Sequence, residues 1–159
     1  MDNSAAPLRV VLDSNVWIDI LVFDDPATRP IHAALEARTL GTLIDSRCLR
    51  ELTRVLDYPQ FVRMDVDRMA TLATVARLST LVAATLPKDE RLLPKCRDRD
   101  DQKFLELAHA SGADWLVSKD RAVLKLARRV VRDFAFRIAE PRPFVTELEA
   151  HAVAPVATG

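Results

Sequence analysis

The sequence predicts an α/β protein, a three-layer α/β/α sandwich built around a mainly parallel sheet. Three observations lead there. Residues 8–13 are apolar and β-branched with no polar alternation, as a strand buried on both faces must be. Further short apolar runs follow at 42–45, 115–118 and 134–138, separated by stretches with helical spacing. Strands that alternate with helices connect by right-handed crossovers, which align them in parallel and cover both faces of the sheet.

The elements follow in chain order. Strand 8–13 leads into a helix over 16–22, which Asp24-Asp25-Pro26 ends. A second helix runs from Thr28 to Arg38, and Gly41 opens the strand 42–45. Ser46 can cap a helix reaching Leu56, stopped by Asp57-Tyr58-Pro59. Residues 64–84 carry a long helical pattern through Val66, Met69, Leu72, Val75 and Leu78. Proline, lysine and arginine dominate 87–99, an irregular loop that follows a short edge strand at 81–86. Asp98 or Asp100 caps the next helix, which Gly112 terminates in the left-handed region. Strand 115–118, helix 121–129, strand 134–138 and a short helix over 143–150 complete one domain spanning 1–150, and 151–159 reads as a flexible tail.

Composition narrows the function. At 159 residues the chain is long enough to bury a core without disulfides, and three glycines against nine prolines suit helices with stiff connections. Cys48 and Cys96 have no paired-ligand spacing and read as reduced, structural thiols. With 23 basic and 23 acidic side chains the net charge is zero. That excludes a general nucleic-acid coat, whose affinity comes from surplus positive charge, yet permits a basic rim around an acidic pocket. No apolar run approaches the roughly 18–20 residues of a membrane span. The start Met1-Asp2-Asn3-Ser4 lacks the basic-then-apolar pattern of a secretory signal, so the cytoplasm is the expected location.

In parallel sheets, sites form beyond the carboxyl ends of the strands. Asp13 and Asp120 both stand at such ends. Glu51 lies at the edge of an apolar helical stripe made by Cys48, Leu49, Leu52, Val55 and Leu56. Asp101 shares a helical face with Phe104, Leu105 and Ala108, so its carboxylate points inward, and Asp98 and Asp100 are better placed to cap. Each acid has an ordinary alternative. Asp13 and Asp120 can be helix caps, Glu51 can pair with Arg47 or Arg54, and Asp101 can simply benefit from the helix dipole. Together they are harder to explain, because two carboxylates about 4 Å apart repel by roughly 4 kcal/mol at an effective dielectric near 20. A cation between them removes that cost. With carboxylates alone and no His or Cys cluster, Mg²⁺ or Mn²⁺ is the expected ion.

The motifs also resemble a known family. Val10-Val11-Leu12-Asp13-Ser14-Asn15-Val16 resembles the opening strand and helix start of PIN-domain nucleases. Cys48 to Leu56, with Glu51 inside it, resembles their second acidic motif, and Asp57-Tyr58-Pro59-Gln60-Phe61 the stretch that often follows. Cys96 to Leu105 resembles the third, with Asp101 at the ligand position, and Leu116-Val117-Ser118-Lys119-Asp120 the fourth. Within the family, the chain is most similar to toxin components of prokaryotic toxin–antitoxin pairs, although Arg99 stands where that subgroup often has proline. The resemblance implies a Mg²⁺- or Mn²⁺-dependent ribonuclease that leaves 3′-hydroxyl and 5′-phosphate ends. It also implies a five-stranded parallel sheet between helices, a homodimer, and neutralisation by a small antitoxin protein.

The expected metal ligands are therefore Asp13, Glu51, Asp101 and Asp120, supported by Ser118, Asn15 and Asp98. Ser118 can hydrogen-bond a carboxylate and hold the cage in shape. Arg97, Arg99, Lys119 and Arg121, with Arg47 and Arg50, are cations close enough in sequence to contact RNA. Trp17 and Trp115 are expected in the core or a dimer contact, and no chemistry falls to the three histidines. Two other readings compete: a phosphoacceptor domain of the response-regulator type, and a non-catalytic scaffold that grips a partner chain.

Overall fold

The computed structural model describes residues 6–83 and 93–153. Among these, five strands form one all-parallel sheet in the order β3-β2-β1-β4-β5. They are β1 (Leu8–Leu12), β2 (Leu40–Ile44), β3 (Ser79–Leu81), β4 (Trp115–Val117) and β5 (Arg137–Ala139). Helices flank the sheet, giving the α/β/α sandwich. In chain order these are α1 (Ser14–Leu21), α2 (Arg29–Glu36), α3 (Ser46–Leu56), α4 (Pro59–Arg63), α5 (Arg68–Leu78), α6 (Gln102–Ser111), α7 (Arg121–Leu124), α8 (Ala127–Asp133) and α9 (Pro141–Val153). No helix among the described residues is long and apolar enough to cross a membrane.

β1 is central, and Val10 pairs with Thr42 on one side and Trp115 on the other. Val10, Val11 and Leu12 are buried with Leu116 and Val117, which is why this run needs no polar alternation. α1 is almost wholly enclosed, burying Val16, Trp17, Ile18 and Ile20. Trp17 and Trp115 both sit in the core, the latter edge-on to Phe144 at 5.6 Å between ring centroids. Cys48 and Cys96 are free and buried, and burial raises both thiols above the ordinary range.

Several boundaries differ from the sequence reading, each for a local reason. Asp45 rather than Ser46 caps α3, because its carboxylate reaches the Cys48 N–H at 3.0 Å while Ser46 is already the first helical residue. Pro59 starts a helix as well as stopping one, since a proline at the first helical position gives up no hydrogen bond. The 64–84 pattern splits. Asp65 takes a left-handed φ of 57°, and α5 begins only behind Asp67, which accepts from the Ala70 N–H at 3.0 Å. Ser79 then turns extended, its hydroxyl donating to the Val75 carbonyl at 2.6 Å, and the chain pairs with β2. A ladder partner outweighs helical periodicity there. The edge strand expected at 81–86 thus lies at 79–81, and residues 84–86 fall outside the described residues.

The helix expected over 121–129 breaks where the Leu126 N–H bonds the Val123 carbonyl, a tightened last turn that separates α7 from α8. α8 runs on to Asp133, so the last strand starts at Arg137 rather than 134, and Phe134 and Phe136 pack into the core from the connection. α9 extends to Val153, past the start of the expected tail at 151. His151 is tied to the Ala6 carbonyl at 2.8 Å. Residues 154–159 lie outside the described residues. Gly112 ends α6 with φ 69°, the left-handed turn expected of it.

Candidate metal centre

Sheet order decides where a site can form. The chain builds outward from β1 through β2 to β3, then returns to the other side of β1 for β4 and β5. The crossovers therefore diverge between β1 and β4, and the crevice above their carboxyl ends is the topological switch point. Asp13 follows β1 directly, and its N–H donates to the Val117 carbonyl at 3.0 Å, carrying the ladder one residue beyond the strand. This sets Asp13 beside Ser118, which is fully buried and donates its hydroxyl to Asp13 Oδ2 at 2.6 Å. The same hydroxyl accepts from the Asp120 N–H at 3.0 Å. One serine thus fixes both strand-end acids.

Asp13 occupies the position before α1, but its carboxylate makes no cap. The helix takes its first bonds from the Asp13 carbonyl. The side chain is left to the crevice. Burial raises it to about 6 against the pull of the Ser118 hydrogen bond, and Glu51 and Asp120 push the same way. Asp120 does act as a cap, with Oδ1 accepting from the Ala122 N–H at 2.7 Å. The cap engages Oδ1 and leaves the second oxygen of the carboxylate for another role.

The third acid arrives from a 3-10 turn, Arg99–Asp101, that precedes α6. Asp98 caps that turn by accepting from the Asp100 N–H at 3.0 Å, which leaves Asp101 with no capping duty. Asp101 is 7% exposed, and its Oδ2 is buried without a hydrogen-bond partner. Asp98, Asp101 and Asp120 each offer an oxygen within 4.8 Å of the others. Burial first, then a hydrogen bond shared with Asp120 and the charges of Asp13, Asp120 and Asp98, push Asp101 up to about 8. A buried acceptor with no donor is costly, and one aimed into a ring of acids fits a cation better than any protein group. The donor set is oxygen throughout, which suits a hard divalent ion.

Glu51 reaches the same region from α3 but is already engaged. Its Oε2 accepts from the Ser14 hydroxyl at 2.5 Å and its Oε1 from Lys103 Nζ at 2.8 Å. It pairs with neither Arg47 nor Arg54, the partners its sequence neighbourhood suggests. Arg47 instead binds Asp45 at 3.1 Å and Glu106 at 2.6 Å. Lys119 is also committed, to the buried Asp19 of α1 at 2.6 Å. Arg97, Arg99 and Arg121 are exposed beside the acids. Asn15 is half-buried, with its Oδ1 unpartnered. Ser14, Asp19 and Lys103 were not legible in advance. Lys103 follows Asp101 by two positions, and only the seating of α6 against α3 turns it toward Glu51.

Comparison with known proteins agrees with this fold. A family model described as the PIN domain matches residues 9–122. No curated protein sequence matches the chain. Among solved structures, VapBC2 from Rickettsia felis, bound to a DNA fragment from its promoter, is similar at 13% identity with a TM-score of 0.54, covering 82% of this chain and 97% of that one. PAE2754 from Pyrobaculum aerophilum is similar at 17% identity with a TM-score of 0.53, covering 94% of each chain.

Proposed function

The chain belongs to the PIN-domain family, and on that footing we propose that it is a divalent-metal-dependent ribonuclease, the toxin of a toxin–antitoxin pair. The observation that carries the metal reading is the Asp101 Oδ2, buried, unpartnered and enclosed by other acids. Asp13, Asp101 and Asp120 hold Mg²⁺ or Mn²⁺, with Asp98 and Glu51 completing the acidic ring. When bound, the ion supplies an activated water and neutralises charge that accumulates on phosphorus. Ser118 keeps Asp13 and Asp120 in register, so that their oxygens would hold the ion in one place. Burial raises Asp13 and Asp101 in the metal-free protein, and a bound dication would hold both as carboxylates.

Arg97, Arg99 and Arg121, exposed on the rim, place the RNA backbone over this ring. Hydrolysis then leaves a 3′-hydroxyl and a 5′-phosphate. The motif resemblance to toxin components and the fold shared with a VapBC2 chain support an antitoxin partner, and the motif resemblance alone suggests a homodimer in the cytoplasm. The test is cleavage of an RNA panel with Mn²⁺, comparing the parent with Asp13→Asn and with excess chelator. Loss of cleavage in both arms supports the proposal. Full activity in a folded Asp13→Asn protein, or in chelator, contradicts it.

A further inference from the structure

One acid in the ring has its charge already balanced. Among the described residues, no lysine or arginine forms an ion pair with Asp13, Asp98, Asp101 or Asp120. Glu51, in contrast, pairs with Lys103 at 2.8 Å, and its other oxygen takes the Ser14 hydroxyl at 2.5 Å. Both side chains are enclosed, at 16% exposure for Lys103 and 10% for Glu51. Lys103 Nζ also donates to the Asp100 carbonyl, so the ammonium is held by the same turn that delivers Asp101. It is no loose surface charge swinging past an acid.

With a donor on each oxygen and its charge balanced by an ammonium, Glu51 is a weaker metal ligand than the acids that lack an ion pair. An ammonium fixed there also repels a second dication in the low-dielectric crevice. We propose that Lys103 is a built-in counter-cation that keeps Glu51 out of the ligand set, so that the centre takes one divalent ion rather than two. This rests on the metal reading above and refines the role of one acid within it. Lys103 is thus a positioning residue, acting through Glu51 rather than on substrate.

The test is Mn²⁺ titration of the full chain by calorimetry, without RNA, with melting curves to confirm folding. The expected result is one equivalent in the parent, one in Lys103→Arg, which keeps the charge, and two in Lys103→Met. Two equivalents in the parent overturn the assignment of Lys103 while leaving the metal centre standing. A folded Lys103→Met protein that still binds one does the same. No binding in the parent removes the metal centre itself. Should Lys103→Met fail to fold, Lys103→Gln, which also removes the charge, takes its place: two equivalents are expected, and one overturns the assignment.

Discussion

At the amino end of the sheet, Leu8, Trp115 and Arg137 open onto a cavity of about 530 Å³ shared with Phe134, Phe136 and His151. At the carboxyl end, Asp13, Asp101 and Asp120 crowd a narrow crevice. At the amino end, polar groups have partners: Asp114 accepts from the Arg9 N–H at 2.8 Å, Arg137 lies over the Trp115 ring, and His151 bonds the Ala6 carbonyl. At the carboxyl end, an oxygen of Asp101 is buried with none, and its acidic neighbours make matters worse.

Substitutions at the two ends should therefore fail in opposite ways. Phe144, fully buried against Trp115, anchors the amino end. Phe144→Ala should cost about 3–5 kcal/mol of folding stability through the cavity it leaves. Cleavage per folded molecule should stay unchanged, as denaturant melts and active-site titration would measure. Asp101→Asn should do the reverse. Cleavage should fall by more than the roughly 10–100-fold typical of groups behind a metal's ligands, while the metal-free protein melts higher because folding no longer has to protonate a buried carboxylate. Loss of both stability and activity in either of these two variants would collapse the contrast. Ser118→Ala lies between: it should weaken Mn²⁺ affinity about 10–100-fold and also cost some stability, because the Asp120 N–H loses its acceptor.

How much of this could be read in the chain follows the same division. β1 was legible because a strand buried on both faces writes itself as an unbroken apolar run, and Gly112 because only a left-handed turn asks for glycine there. The acids Asp13, Asp101 and Asp120 were legible by position, at strand ends or on a buried helical face. What the sequence hid was pairing across elements. Ser79–Leu81 leaves its helical pattern for a partner on β2, 37 positions away by register. Glu51 finds Lys103 at a separation of 52 residues, where its neighbours offered Arg47 and Arg54. Periodicity speaks for one element at a time, and these contacts belong to two.

Charge gives a gentler version of the contrast. In the metal-free protein Asp13 lies at about 6 and Asp101 at about 8, above the roughly 3.9 of an unfolded aspartate. The native state then holds more protons than the unfolded one, so stability should fall as pH rises from about 4 to about 8. Saturating Mn²⁺ should flatten that slope. Glu36, on the surface, has the opposite sign. The Arg77 hydrogen bond lowers it to about 2, so its small contribution is present above about 4.3 and fades as pH falls toward 2. Urea midpoints across pH, with and without Glu36→Gln, would separate the two slopes, and the surface effect should be the smaller because solvent screens it.

The central claim is that oxygens from the residues following β1 and β4 and from the turn before α6 share a cation. Anomalous diffraction from crystals grown with Mn²⁺ tests it most directly. The account predicts a peak in the crevice bonded to Asp13, Asp101 and Asp120, absent in Asp101→Asn. Manganese seated anywhere else, or these carboxylates still bare at saturating metal, would contradict it.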